Sequence, residues 1–199
     1  MQIMRQKTMP RTIHKARYVL SAPDRLLADA AIHVSCHGRV SSIEPWHRMC
    51  AKPEAEVMDW NSSVILPGLI NAHTHLELTS FRNQLTRFSS FTDSLASNDS
   101  LSMIDEMRFL YGKRSDIRPE EIFRAATING AKALSFGGVL GRLRRGYWAD
   151  MTVLRLPPHT RSRNLLRQIL EGAGECIATI VRGKVVYQKE VGSFSPPIP

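Results

Sequence analysis

The stretch VILPGLINAHTHLEL, residues 64–78, joins an apolar run to two histidines one residue apart. Val64-Ile65-Leu66 leads through Pro67-Gly68 into Leu69-Ile70, a composition that suits a buried strand. Side chains alternate along a strand, so a strand continuing to His75 sets His73 and His75 on one face, where they can share one ion. Neutral imidazole is a common metal ligand, and zinc takes it readily. An HxH pair also reads as two ordinary polar residues; the apolar setting favours ligation, because imidazoles buried there need partners for their ring nitrogens. Glu77, two residues past His75, falls on the same face if the strand continues, as a helper to the pair or as a loop or salt-bridge residue.

Working outward, 199 residues with 43% hydrophobic content can bury a core and read as one or two soluble domains. No apolar run reaches the roughly 20 residues that span a bilayer, and MQIMRQKTMPRTIHKARYVL lacks the pattern of a secretory signal, so a cytoplasmic location with no membrane partner is expected. Cys36, Cys50 and Cys176 are odd in number and without CxxC spacing, which points to free thiols. The net charge of +9 is concentrated at the start, from Arg5 to Arg17, and in the last third, from Arg142 to Arg167. Apart from the pair Tyr147-Trp148 neither run is interleaved with aromatic residues, and neither carries a recognisable nucleic-acid motif, so a solvated basic face is expected rather than a nucleic-acid partner.

Short β-branched and apolar segments at 16–21, 31–35, 40–44 and 57–66, separated by turn-like groups, predict a small antiparallel β unit. Leu101, Ile104, Met107, Leu110 and Tyr111 predict a helix behind a cap at Asn98 or Asp99. A second helix is expected to start at Pro119-Glu120-Glu121 and to falter at Asn129-Gly130. Strands return at 150–156 and 176–188, with a hairpin turn at Arg182-Gly183-Lys184 and an arginine-rich link before it.

With these motifs in place, the sequence resembles the amidohydrolase superfamily, in the branch of cytosine deaminases and chlorohydrolases that includes nucleoside-type deaminases. VILPGLINAHTHLEL is similar to the first barrel strand of that branch, and TDSLASNDSLSMIDEMRFL to the segment at its last barrel strand, whose aspartate binds the metal and moves protons. PEEIFRAATINGAKALSF resembles the helix that follows. GRLRRGYWADMTVL and VRGKVVYQ resemble the return to the β-sandwich and its closing strand. The resemblance implies metal ligands at His73, His75 and Asp93, with Asp93 also the general base, and a Zn2+ or Fe2+ ion. It implies hydrolysis of a non-peptide C–N bond, by deamination or dechlorination of a small heterocycle or nucleoside.

The spacing departs from the family. Its HxH pair lies on the first barrel strand and its aspartate on the eighth, yet here only eighteen residues separate His75 from Asp93. A complete (β/α) barrel takes about 250 residues, whereas residues 64–156 supply 93. The expectation is an α/β chain with an incomplete metal-dependent hydrolase barrel and a composite β-sandwich built from both chain ends. Its parts are residues 1–66 and 146–199 for the sandwich and 67–145 for a residual barrel, with first- and last-strand regions fused near 88–93. No residue matches the middle-strand ligands or the proton-shuttling glutamate, and Asp93 also reads as the cap of a turn or helix near Ser94 to Asn98. His14, His33, His37, His47 and His159 are expected in structural or surface roles. Two functions stay open: a hydrolase acting on a small molecule, and a catalytically inactive remnant that binds metal weakly or associates with an intact relative. Unpaired strand edges favour association, including a homo-oligomer.

Overall fold

The computed structural model describes residues 10–49, 55–71, 102–114 and 116–189. Strands β1 (Thr12–Ala22), β2 (Arg25–Val34) and β3 (Val40–Pro45) form an antiparallel meander. Pro23-Asp24 turns the chain between the first two strands, as the sequence signals. Helix α1 (Trp46–Met49) follows, then β4 (Glu56–Asp59) and β5 (Ser63–Pro67).

Two expectations are corrected here. The segment 57–66 is two strands, because Asn61 adopts a left-handed backbone (φ 51°) and its N–H is held by Asp59 Oδ1 at 2.8 Å. Asparagine tolerates that conformation better than most residues. The break shifts the chain along one edge of β1: β4 pairs with residues 12–15, and β5 with Tyr18 and Val19. Both pairings are parallel, so the N-terminal unit is mixed rather than antiparallel. The chain returns through α1 to the free edge of β1 and runs in the same direction.

The C-terminal strands β6 (Met151–Arg155), β7 (Glu175–Val181) and β8 (Lys184–Gln188) extend the same sheet, in the order β3-β2-β1-β5-β6-β7-β8. The junction between the chain ends is β5 against β6, antiparallel from Ser63↔Arg155 to Pro67↔Met151. The turn between β7 and β8 has two left-handed residues, Arg182 (φ 48°) and Gly183 (φ 78°), the backbone of a tight hairpin.

Residues 146–149 tie the two ends of this sheet together. Val40 N–H donates to Tyr147 O, Ala149 N–H to Gly38 O, and Gly183 N–H to Ala149 O, each at 2.9 Å. A Cβ on Gly38 (φ 70°) would lie 2.3 Å from the Arg182 carbonyl oxygen, so the closure needs glycine there. The sheet thus wraps one core of Val19, Ile32, Val34, Ile65, Val153 and Ile180, drawn from both chain ends.

Helices cover the other face. They are α2 (Met103–Lys113), α3 (Pro119–Arg124), a π-helical turn (Ala125–Asn129) running into α4 (Gly130–Ala133), and α5 (Leu165–Leu170). Ile104, Met107, Phe123 and Ile169 pack against Tyr18, Leu20, Val64, Leu66 and Leu154. Alternation along β5 explains the division: Ile65 points to the wrapped core, Val64 and Leu66 to the helices. Ser102 occupies the N-cap position of α2; the caps expected at Asn98 or Asp99 lie outside the described residues. Glu121 Oε2 accepts the Arg118 backbone N–H at 3.4 Å, one half of a capping box, and with Pro119 in the first turn α3 starts as expected. Arg108 fastens α2 to the end of α5 by donating to the carbonyls of Ile169, Ala173 and Gly174 at 3.1, 3.1 and 2.6 Å.

Candidate metal centre

His73, His75, Glu77 and Asp93 lie outside the described residues. The segments that flank them on either side are described, and they converge. Beyond β5 the chain is pinned at two points: Gly68 N–H donates to Asp150 O, and Ile70 N–H to Ala126 O, both at 2.8 Å. The second bond uses a carbonyl within the π-helical turn. There the Gly130 N–H reaches Ala125 O five residues back, a wider loop than an α-helix makes.

The sequence predicts that this helix falters at Asn129-Gly130. The helix instead continues to Ala133, and the glycine serves a close approach. A Cβ at Gly130 would lie 3.1 Å from Ile70 Cγ2 and 3.2 Å from its carbonyl oxygen. A small residue is therefore favoured at position 130, against Ile70, which lies three positions before His73. A buried Thr127 hydroxyl donates to Phe123 O at 2.5 Å within the same widened stretch. The only sequence signal for this arrangement is the Asn-Gly pair, which is shared with ordinary turns.

Leu69 and Ile70, just before His73, share a cavity of about 430 Å³ with Ser102 and Met103, nine and ten residues after Asp93. Asp150 and Cys176 also line it. Asp150 has a structural task, since its Oδ1 accepts the Arg182 backbone N–H at 2.7 Å. Burial pushes the Cys176 thiol up from its ordinary pKa, so it stays protonated at neutral pH and is a poor nucleophile or ligand. Among the described residues no group of three His, Cys, Asp or Glu side chains could hold a metal ion.

The described histidines include one in the core. His14 is fully buried and stacks on Trp60, with ring centroids 6.2 Å apart and planes within 5°. Trp60 Nε1 donates to His14 Nδ1 at 3.3 Å, which assigns the proton to Nε2, 3.1 Å from Thr12 Oγ1. Burial lowers its pKa to about 4, so the ring is neutral with both nitrogens engaged. Its role is structural, as expected.

Comparison with known proteins follows the same outline. Residues 86–186 match the profile described as Amidohydrolase family. The 5-methylthioadenosine/S-adenosylhomocysteine deaminase 1 of Archaeoglobus fulgidus is 36% identical over 115 residues, covering 51% of this chain and 26% of that protein. The S-triazine hydrolase of Gordonia rubripertincta is 31% identical over 118 residues, covering 53% of this chain and 24% of that protein. The alignments thus span about a quarter of the length of these relatives. In structure, Helicobacter pylori aminofutalosine deaminase superposes with a TM-score of 0.69 at 14% identity, over 88% of this chain and 100% of that one, a likeness of fold. No helix among the described residues is long and apolar enough to cross a membrane. With a profile match over half its length and deaminases among its sequence relatives, the chain belongs to the amidohydrolase family.

Proposed function

We propose that this chain is a barrel-shortened amidohydrolase that holds a divalent metal loosely through His73, His75 and Asp93 and does not itself turn over a substrate. The observation that carries this reading is the short interval between β5 and α2. Only residues 68–102 lie between Pro67 and Met103, where a family barrel must fit most of its strands. The profile match beginning at residue 86, shortly before Asp93, supports a fusion of first- and last-strand regions near 88–93. Residues 1–66 and 146–199 then form the sandwich, and 67–145 the residual barrel. The shared sheet of β5 and β6 supports that division.

Two imidazoles and a carboxylate are a donor set that suits Zn2+ or Fe2+. His73, His75 and Asp93 would hold such an ion, and the chemistry it would supply is acidification of a water for attack on an electrophilic carbon. This chain's own part lies in the segments that flank the ligands in sequence: Gly68 and Ile70, pinned by backbone bonds, precede His73 and His75, and Ser102 and Met103, nine and ten residues after Asp93, line the same cavity as Ile70, which supports a shared site. Hydrolysis also requires substrate walls and a proton-shuttling group beyond Asp93, and these belong to the strands that the interval leaves out. The deaminase and triazine-hydrolase names of the relatives therefore describe ancestry here, with deamination or dechlorination of a small heterocycle or nucleoside as the ancestral reaction. Edge strand β8, with Val186 61% exposed, supports association with a second copy or an intact relative.

Calorimetric titration with zinc tests the site. Weak binding that His73→Ala abolishes is the expected outcome. Tight stoichiometric binding unaffected by His73→Ala would overturn the assignment.

A further inference from the structure

The charge of +9 is unevenly used in the fold. Arg114, Arg118 and Arg167 each meet a carboxylate, those of Asp116, Glu121 and Glu171, at 2.7–2.8 Å. At the end of the sheet closed by residues 146–149 the arrangement differs. The Arg182 guanidinium lies 4.0 Å from the centroid of the Trp148 ring and that of Arg39 lies 6.0 Å from it. Arg39 Nη1 is fixed by the Gly146 carbonyl at 2.6 Å. Gly146 closes the turn that carries the exposed Arg144 and Arg145. Among the described residues, none of these four guanidinium groups is paired with an acid. Asp150, beside them, accepts from the Arg182 backbone N–H. Phe136, 45% exposed, packs at a tilt on Trp148 with centroids 5.9 Å apart.

We propose that this face, centred on Trp148 between Arg39 and Arg182, binds single-stranded nucleic acid. Like charges gathered without counter-ions cost free energy that a polyanion recovers. A guanidinium stacked on an aromatic ring, as that of Arg182 is, keeps its N–H edge oriented for phosphate oxygens, and Arg39, held by Gly146 through Nη1, has further N–H groups to offer. The exposed Phe136 ring supplies a stacking surface for a base, and this favours a nucleic acid over an acidic protein segment. The sequence alone points to a solvated basic face, because beside Arg144, Arg145, Tyr147 and Trp148 the other members, Arg39, Phe136 and Arg182, are distant in the chain. Folding interleaves them, bringing together residues near 39, 136, 144–148 and 182.

The test is fluorescence anisotropy of a labelled oligouridylate of about twelve nucleotides titrated with the 199-residue protein. If four phosphates are neutralised, affinity should drop roughly fiftyfold between about 50 and 200 mM salt. The double variant Arg144→Glu/Arg145→Glu should bind at least about tenfold more weakly, and Phe136→Ala about fivefold more weakly. The control Arg114→Glu/Arg118→Glu, with the same change in net charge on the far helices, should bind as the parent does. Circular dichroism establishes that each variant is folded. Three results would each overturn the proposal: no binding at the lower salt, equal weakening by the two double reversals, or displacement of the oligonucleotide by polyglutamate at matched charge. The last would reassign the face to an acidic protein partner.

Discussion

His14 makes the stability of this fold depend on pH in a window that can be worked out. Burial lowers its pKa from 6.5 to about 4. Between those values the unfolded chain takes up a proton that the folded chain refuses, so stability falls as pH falls. One pKa unit is worth about 1.4 kcal/mol, which gives a loss of about 2 kcal/mol by pH 5 and about 3 kcal/mol by pH 4 relative to pH 8. Urea unfolding at a series of pH values measures this directly. Carboxylates such as Asp116 and Glu121, lowered by their arginine partners, also lose stabilisation, mainly at the acid end of the range. The variant His14→Gln isolates the histidine, because an amide can accept from Trp60 and donate to Thr12 without titrating. It should be less stable at pH 7 and should lose less stability between pH 6.5 and 4.5. Parallel pH profiles for parent and variant would refute the reasoning.

Two further substitutions probe the frame around the candidate centre. Arg108→Met removes three carbonyl partners between α2 and the end of α5 and should cost about 2 kcal/mol in urea unfolding; an unchanged midpoint would show the clamp to be inert. Gly130→Val presses a side chain into Ile70 and should cost roughly 2 kcal/mol. It should also weaken zinc binding measured on the folded variant, because the displaced backbone leads to His73 three residues on.

What could be read in the sequence was whatever depends on local pattern. Val64-Ile65-Leu66 is a strand buried on both faces, as its apolar run indicates, and the Arg182-Gly183 turn sits where the sequence places a hairpin turn, at Arg182-Gly183-Lys184. The break at Asn61 is hidden in the sequence because β-branched and apolar residues lie on both sides of it; bonds from the Asn61 N–H to Asp59 Oδ1 and from the Ser63 N–H to Asn61 O make the turn. The continuation through Asn129-Gly130 was missed because the glycine answers to Ile70, which is sixty residues away in the chain. Likewise, the arginine and tryptophan face exists only once the β2–β3 turn, the β7–β8 turn and residues 144–148 meet. The candidate ligands came from motif and resemblance alone, with their flanks placed at one cavity by the fold.

The central claim is that the chain keeps the family's frame and metal-ligand motif but has lost its turnover. Ammonia release by the purified 199-residue protein, loaded with zinc or ferrous iron, tests this most directly against a panel of nucleosides, pterins, cytosine and triazines. The expected result is no release above background, with activity recovered when the missing middle segment of a full-length relative is inserted between the first- and last-strand regions. Steady ammonia release by the short chain, abolished by His75→Ala, would contradict the claim and make this chain an enzyme in its own right.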